Sequence, residues 1–234
     1  MKKLQAWISA CRLRTLPLSI SGAILGSGVA YSEGVFVLSV FVLTILTTLS
    51  LQILSNLAND YGDGVKGTDN ENRIGPKRAL QSGIISPKQM RNAIVINVII
   101  CLFSVLTLIY QAFGADKFLT SFIFIGLGVL AIIAAIKYTV GRSAYGYKAL
   151  GDLMVFLFFG WLSVLGTYFL YSNQINYLML LPASSIGLLS AGVLNLNNMR
   201  DFESDKLSNK HTLAGYLGLE NARKYHLTLI ILAI

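Results

Sequence analysis

The chain has 234 residues, of which 54% are hydrophobic and only 13% charged, with a formal net charge of +8 and a mean hydropathy of +0.63. A soluble domain carries about a quarter charged residues, so an ordinary water-soluble globule is excluded. The basic excess does not point to nucleic acid either, because no stripe of Lys and Arg interleaved with aromatics accompanies it.

Charge is absent from 16–32, 34–59, 92–115, 118–136 and 153–199. A bilayer core takes about 20 residues of helix, and the last of these runs is long enough for two. In chain order the pattern predicts helices near 16–31, 35–59, 92–113, 118–136, 150–171 and 177–199, with a further one beginning near Lys224. The expected fold is all-α: a polytopic transmembrane helical bundle, one membrane-embedded domain over 1–234, with the lipid bilayer as its solvent. The opening MKKLQAWISACRLRTLPLS places basic residues before an apolar stretch, as a signal peptide does. It has no clear small-residue cleavage site, so an uncleaved first helix is expected. The final HLTLIILAI is too short to span a bilayer. The sequence therefore reads as truncated within its seventh helix, without the C-terminal helices, and is expected to be less stable or inactive as written.

Charge also sets the expected topology. If the helices alternate, one face receives 1–15, 60–91, 137–149 and 200–226, which hold every Lys and Arg except Lys117. That bias is the positive-inside signature and places the N-terminus and the large loops in the cytoplasm. Cys11 and Cys101 have no CxxC spacing, so neither a disulfide framework nor a thiolate metal site is expected. No Ser/His/Asp arrangement is visible, and His211 and His226, in or beside a basic loop, read as solvated.

The second apolar run ends in NLANDYGDGVKGTD, residues 56–69. Acids at a helix C-terminus face the negative end of the dipole and are normally unfavourable there. Asn56, Asp60 and Asp63 nevertheless stack on one helix face, Asn59 is adjacent, and Asp69 follows a glycine-punctuated turn. The sixth run ends the same way, in NLNNMRDFESD, where Asn198, Asp201 and Asp205 stack with Glu203 nearby. Both segments carry N-L-x-N, at 56–59 and 195–198. Two acidic clusters delivered to one membrane face call for a cation. Mg²⁺ prefers carboxylate oxygens and commonly completes its shell with substrate phosphates. Lys66, Arg73, Lys77, Arg78, Arg200, Lys206 and Lys210 flank the acids, which suits a diphosphate held through magnesium.

These motifs, with RIGPKRALQSG, YTVG…YGYKALGD and RD…DKLSNKHTLA, resemble the UbiA superfamily of intramembrane prenyltransferases. Within it they are most similar to the 1,4-dihydroxy-2-naphthoate polyprenyltransferases of menaquinone synthesis. The resemblance runs from about Arg12 to Arg223. It implies a multi-pass enzyme of the bacterial cytoplasmic (inner) membrane, with its Asp-rich loops in the cytoplasm. It further implies transfer of a polyprenyl group from polyprenyl diphosphate to 1,4-dihydroxy-2-naphthoate, with decarboxylation to demethylmenaquinol.

Position by position, the resemblance makes Asn59, Asp60, Asp63 and Asp69 the first magnesium–diphosphate site, and Asp201 and Asp205 with Asn198 the second. It makes Arg78 and Lys210 diphosphate contacts, to which the flanking Lys66 and Arg200 are added, and puts Arg12, Tyr138, Arg142 and Asp152 near the aromatic acceptor. The four aspartates at 60, 63, 201 and 205 are the expected catalytic set. One departure is plain: the family start R-P-x-T-L-P reads RLRTLP at 12–17, without its first proline. Asp152 also stands out by itself, as an acid at membrane depth, where such groups default to function. Aromatics at 156, 158, 159, 161, 168 and 171 divide evenly between lipid-facing and channel-lining readings. The alternatives are prenylation of 4-hydroxybenzoate for ubiquinone, a cation-coupled transporter, and a binding protein without catalysis. A transporter would place ionisable groups near the midplane, whereas here they gather at one set of helix ends.

Overall fold

The computed structural model describes residues 2–68 and 78–234. Asp69, and with it Arg73 and Lys77, lies outside the described residues. Among the described residues the chain is helical, with one isolated β-bridge between Lys148 and His211 and no strand.

The helices are α1 (Lys2–Cys11), α2 (Leu16–Ser32), α3 (Leu38–Lys66), α4 (Pro87–Phe113), α5 (Phe118–Lys137), α6 (Gly151–Ser172), α7 (Leu180–Arg200), α8 (Phe202–Leu207) and α9 (Leu213–Ala233). Six stretches among the described residues are long and apolar enough to cross a membrane: Lys2–Ser32, Leu38–Lys66, Pro87–Phe113, Phe118–Lys137, Gly151–Ser172 and Tyr177–Arg200. They coincide with the six charge-free predictions, and the bundle is the polytopic one expected.

Four boundaries differ, α4 among them, which starts at Pro87 rather than near 92. An additional helix, α1, precedes the first expected span from Lys2, α3 continues to Lys66, and the last helix starts at Leu213 rather than near Lys224. In each case the extension carries polar or charged residues, which the apolar pattern could not count as membrane helix. α9 has its own start signal, Thr212, whose Oγ1 accepts from the Gly215 amide at 3.1 Å. α4 likewise starts on a capping box between Ser86 and Gln89.

Small residues bring the helices close. A Cβ on Gly160 of α6 would lie 2.6 Å from the Ala183 carbonyl and 2.8 Å from Gly187 Cα on α7. Without water to drive association, such small-residue contacts are how membrane helices pack. The middle of α6, Phe156–Gly166, is π-helical. α2 packs on this wider segment and on α3, α5 packs on α3 and α4, and α9 packs on α7. Among the described residues, buried side chains form two clusters. One, with Val40, Phe113, Tyr168 and Tyr171, sits at the end of the 33–37 and 173–176 loops. The other, with Leu54, Ala58, Ile85 and Met90, underlies the end that carries the aspartates.

Candidate active site

A cavity of about 300 Å³ lies between α2, α3, α5, α6 and α7. Leu18, Leu51, Phe158, Phe159, Leu162 and Leu194 give it apolar walls. Its polar lining is Arg12, Gln52, Asn56, Asn59, Tyr138 and Asn197, among others. A second, wholly apolar groove of about 360 Å³ lies open between α5 and α6 and shares Phe158 and Leu162 with the cavity.

Arg12 is aimed by a break in the chain. It adopts φ 49° and ψ 56°, a left-handed conformation that costs a non-glycine residue energy. The break is held from three sides. Thr15 Oγ1 donates to the Arg12 carbonyl at 2.9 Å. Asn56 Nδ2 donates to the Cys11 carbonyl at 2.9 Å and to Thr15 Oγ1 at 3.1 Å. Gln52 Nε2 reaches Thr15 Oγ1 at 3.2 Å. These side chains shape the turn without the family's proline, since Leu13 stands in its place. Asn56, expected to stack with the aspartates, is thus a clamp on the first helix. Asn195, its counterpart in the second N-L-x-N, does the same job by donating to the Ala222 carbonyl of α9 at 3.0 Å.

The aspartates divide into two groups. Asp60 is 1% exposed, and its Oδ2 accepts from the Ala79 amide at 3.2 Å. Arg12 and Arg78 are close enough to act on it electrostatically. Asp63 engages different partners. Its Oδ1 accepts from the Tyr147 hydroxyl at 2.8 Å, and its Oδ2 lies 3.6 Å from Lys210 Nζ. Asp205 Oδ1 lies 3.6 Å from the same nitrogen. The two acidic motifs therefore meet through Lys210. Asp201 accepts both arms of its neighbour, from Arg200 Nε at 2.8 Å and Nη2 at 2.6 Å.

Local structure explains Lys210. α8 ends at Leu207, Asn209 takes φ 53°, and the Lys210 amide turns back to the Asp205 carbonyl at 2.9 Å. Asn tolerates that left-handed position better than most residues. The Ala149 amide also bonds the His211 carbonyl at 2.8 Å, tying this turn to the 138–150 loop. That loop rests on the end of α3. Thr139 Oγ1 donates to the Ala58 carbonyl at 3.0 Å and to Asn59 Oδ1 at 3.2 Å. Lys66 Nζ donates to the Thr139 carbonyl at 2.7 Å and lies 3.8 Å above the Tyr147 ring. Gly62 makes the approach possible, because a Cβ there would sit 2.6 Å from Thr139 Oγ1.

Electrostatics follow burial. Burial pushes the Asp205 carboxyl up to about 6, against the opposing pull of Lys210 and with the help of Asp201 and Asp63. Burial alone would lower Lys210, but Asp63 and Asp205 outweigh it and raise its pKa, so the ammonium is firmly charged. Burial raises the Tyr138 hydroxyl to about 12, which keeps it a neutral donor.

Of the other expected residues, Arg12, Asn59 and Tyr138 line the cavity. Arg78 is half-buried beside Asp60, Asn198 is buried, and Arg200 lies exposed at the end of α7. Asp152 is 5% exposed in the first turn of α6, where the helix dipole favours it, with Tyr138 and Tyr225 near enough to feel its charge. It is not among the cavity-lining residues, and neither is Arg142, which is exposed. Tyr147, Thr139, Gln52 and Asn197 were not foreseen. The available signals were a polar Gln52 within a charge-free span, Asn197 within N-L-x-N, and the place of Thr139 and Tyr147 in the YTVG…YGYKALGD motif.

No three of the described Asp, Glu, His and Cys side chains gather into a metal cage. The oxygens nonetheless suit a hard divalent ion. Asp60 Oδ1 and Asp205 Oδ2 are buried without a hydrogen-bond partner among the described residues. A set of few carboxylates with spare oxygens is what an ion shared with a phosphate ligand needs.

The profile of the UbiA prenyltransferase family matches residues 19–234. The chain is 46% identical over 232 residues to a protein of Escherichia coli (strain K12) named 1,4-dihydroxy-2-naphthoate octaprenyltransferase, covering 99% of this chain and 74% of that one. A protein of the same name from Haemophilus influenzae is 46% identical, covering 99% and 75%. A third, from Mycobacterium tuberculosis, is 34% identical, covering 100% and 77%.

Proposed function

Because the chain belongs to the UbiA prenyltransferase family, we propose that it transfers a polyprenyl group from polyprenyl diphosphate to 1,4-dihydroxy-2-naphthoate in menaquinone synthesis. The observation that carries this reading is a cavity with apolar walls whose polar lining includes Arg12, Asn59 and Tyr138, the last within electrostatic reach of the Asp63–Lys210–Asp205 bridge. A lipid tail and a charged head group need that pairing of environments. The names of the similar bacterial proteins support the naphthoate as acceptor.

Mg²⁺ is the metal of this reading. Asp60, Asp63, Asp201 and Asp205, with Asn59, Asn198 and Asp69, would hold it together with diphosphate oxygens, where it would neutralise charge on the leaving group. Lys66, Arg78, Arg200 and Lys210 add positive charge around the departing diphosphate, the electrostatic contribution that commonly dominates such steps. Cleavage of the allylic C–O bond leaves a carbocation, and the apolar walls keep water from quenching it. Arg12 and Tyr138 face the cavity and would orient the acceptor carboxylate and ring. The electron-rich ring carbon attacks, and carbon dioxide leaves from the same ring. No side-chain nucleophile is needed. The chain would work in the bacterial inner membrane with the aspartate end toward the cytoplasm, which supplies both the naphthoate and the metal.

The test uses membranes holding the protein, a labelled polyprenyl diphosphate, Mg²⁺, and either 1,4-dihydroxy-2-naphthoate or 4-hydroxybenzoate. A decarboxylated prenyl-naphthoquinol that disappears with EDTA is the expected product. Product from 4-hydroxybenzoate alone would move the reaction to ubiquinone synthesis.

A further inference from the structure

Lys210 stands where two carboxylates from distant parts of the chain converge. Its Nζ is 3.6 Å from Asp63 Oδ2 and 3.6 Å from Asp205 Oδ1. Charge-assisted hydrogen bonds run at about 2.7–2.9 Å, so the ammonium is shared between the acids and committed to neither. The carboxylates are correspondingly unsaturated, with Asp205 Oδ2 buried and unpartnered among the described residues. We propose that Lys210 is an exchangeable internal counter-cation, which bridges Asp63 and Asp205 in the free protein and turns to a phosphate oxygen when metal and diphosphate arrive. This rests on the prenyltransferase reading above and adds to it an order of events.

The parts needed for such an exchange are present. The Lys210 backbone is fixed by the hydrogen bond that its amide donates to the Asp205 carbonyl, so only the flexible side chain has to swing. Asp63 keeps its orientation when the lysine leaves, because Tyr147 holds its other oxygen at 2.8 Å. The second ammonium nearby, Lys66, is occupied by the Thr139 carbonyl and the Tyr147 ring, and Arg200 by Asp201. In the free protein Lys210 also prevents Asp63 and Asp205 from repelling each other apart.

Charge balance then couples the two ligands. The Lys210 side chain is 12% exposed, so a metal ion entering alone would leave a largely buried ammonium without an anion. Diphosphate supplies that anion. Each ligand therefore favours the other, with a coupling of about 5–150-fold expected of linked sites.

The experiment measures binding without turnover, with Mn²⁺ as a paramagnetic probe and inorganic diphosphate as the anion, on purified protein in nanodiscs. Wild type is expected to bind Mn²⁺ weakly alone and about tenfold or more tightly with diphosphate. Lys210→Met, or Lys210→Gln should the first fold poorly, is expected to bind Mn²⁺ alone about tenfold more tightly and to lose the enhancement. Lys210→Arg keeps the charge and should retain the wild-type pattern. Neutral variants that bind Mn²⁺ alone no better than wild type would overturn the exchange while leaving the prenyltransferase reading intact. Wild type that binds no Mn²⁺ with or without diphosphate would remove the exchange and the metal site together.

Discussion

Tyr147 donates its hydroxyl to Asp63 Oδ1 at 2.8 Å, joining the 138–150 loop to the first acidic motif. Thr68 Oγ1 sits 2.6 Å from the same phenol oxygen and donates to it, so the phenol proton is left for the carboxylate. The ring lies beneath Lys66 Nζ at 3.8 Å and within 5.6 Å of Lys210 Nζ. One side chain thereby orients an acid and cradles two ammonium groups.

Tyr147→Phe keeps the ring and removes the hydroxyl. A hydrogen bond to a charged group contributes about 1.5–3 kcal/mol, so Asp63 should lose its fixed orientation and the Mg²⁺ needed for half-maximal activity should rise roughly tenfold. The naphthoate KM should stay near wild type. Metal titration of the variant checks this, and an unchanged Mg²⁺ requirement would dissociate Tyr147 from the metal site.

Gly62 is needed for the loop to dock on α3. Gly62→Ala would place a methyl 2.6 Å from Thr139 Oγ1 and 2.8 Å from the Thr139 carbonyl carbon, backbone that has little room to yield. The expected cost is about 1–3 kcal/mol, with loss of the Thr139 bonds to Ala58 and Asn59. Thermal unfolding in detergent should show a lower midpoint, together with reduced activity.

Much of this was legible in the sequence, for physical reasons. Charge-free runs must be buried in lipid, so the six spans were readable, and aspartates at two helix ends marked the candidate site. The paired N-L-x-N segments also carried real content, since Asn56 and Asn195 each clamp a carbonyl of a neighbouring helix. Other features depend on contacts between residues far apart in the chain. Neither the 3.6 Å meeting of Lys210 with Asp63 nor the role of Tyr147 leaves a local pattern. The polar starts of α1 and α9 were invisible to a hydropathy reading, because amphipathic turns at a membrane surface look like loops. Asn197 lines the cavity while its neighbour Asn198, the expected ligand, is buried, a distinction that only helix rotation decides.

Asp205 gives the site a pH dependence. Burial lifts its pKa from 3.8 to about 6, so folding favours the protonated form. The stability this group contributes is fully present below about 3.8 and is lost as pH rises through about 6. Metal binding needs the ionised form and works in the opposite sense. Below pH 6 the apparent Mg²⁺ affinity should fall by up to about tenfold per unit, and added Mg²⁺ should restore activity. Asp205→Asn should abolish that pH-dependent rescue. Activity profiles at several Mg²⁺ concentrations between pH 5 and 8 provide the check.

Phe158 and Leu162 line both the central cavity and the apolar groove between α5 and α6. Replacing either with Ala should open the cavity into the groove and raise kcat/KM for longer polyprenyl diphosphates relative to shorter ones. Replacing Phe158 with Trp should narrow the passage and reverse the preference. Competition between two chain lengths in one reaction reads the ratio directly.

The account centres on the meeting of the two acidic motifs as the place where diphosphate departs. The most direct measurement is release of labelled diphosphate from polyprenyl diphosphate by Asp63→Asn and Asp205→Asn, each compared with wild type in nanodiscs at saturating Mg²⁺ and naphthoate. The account predicts a loss of about 10²–10³-fold in each variant, the scale of removing one electrostatic stabiliser of a developing charge. Release at the wild-type rate from either folded variant would contradict it.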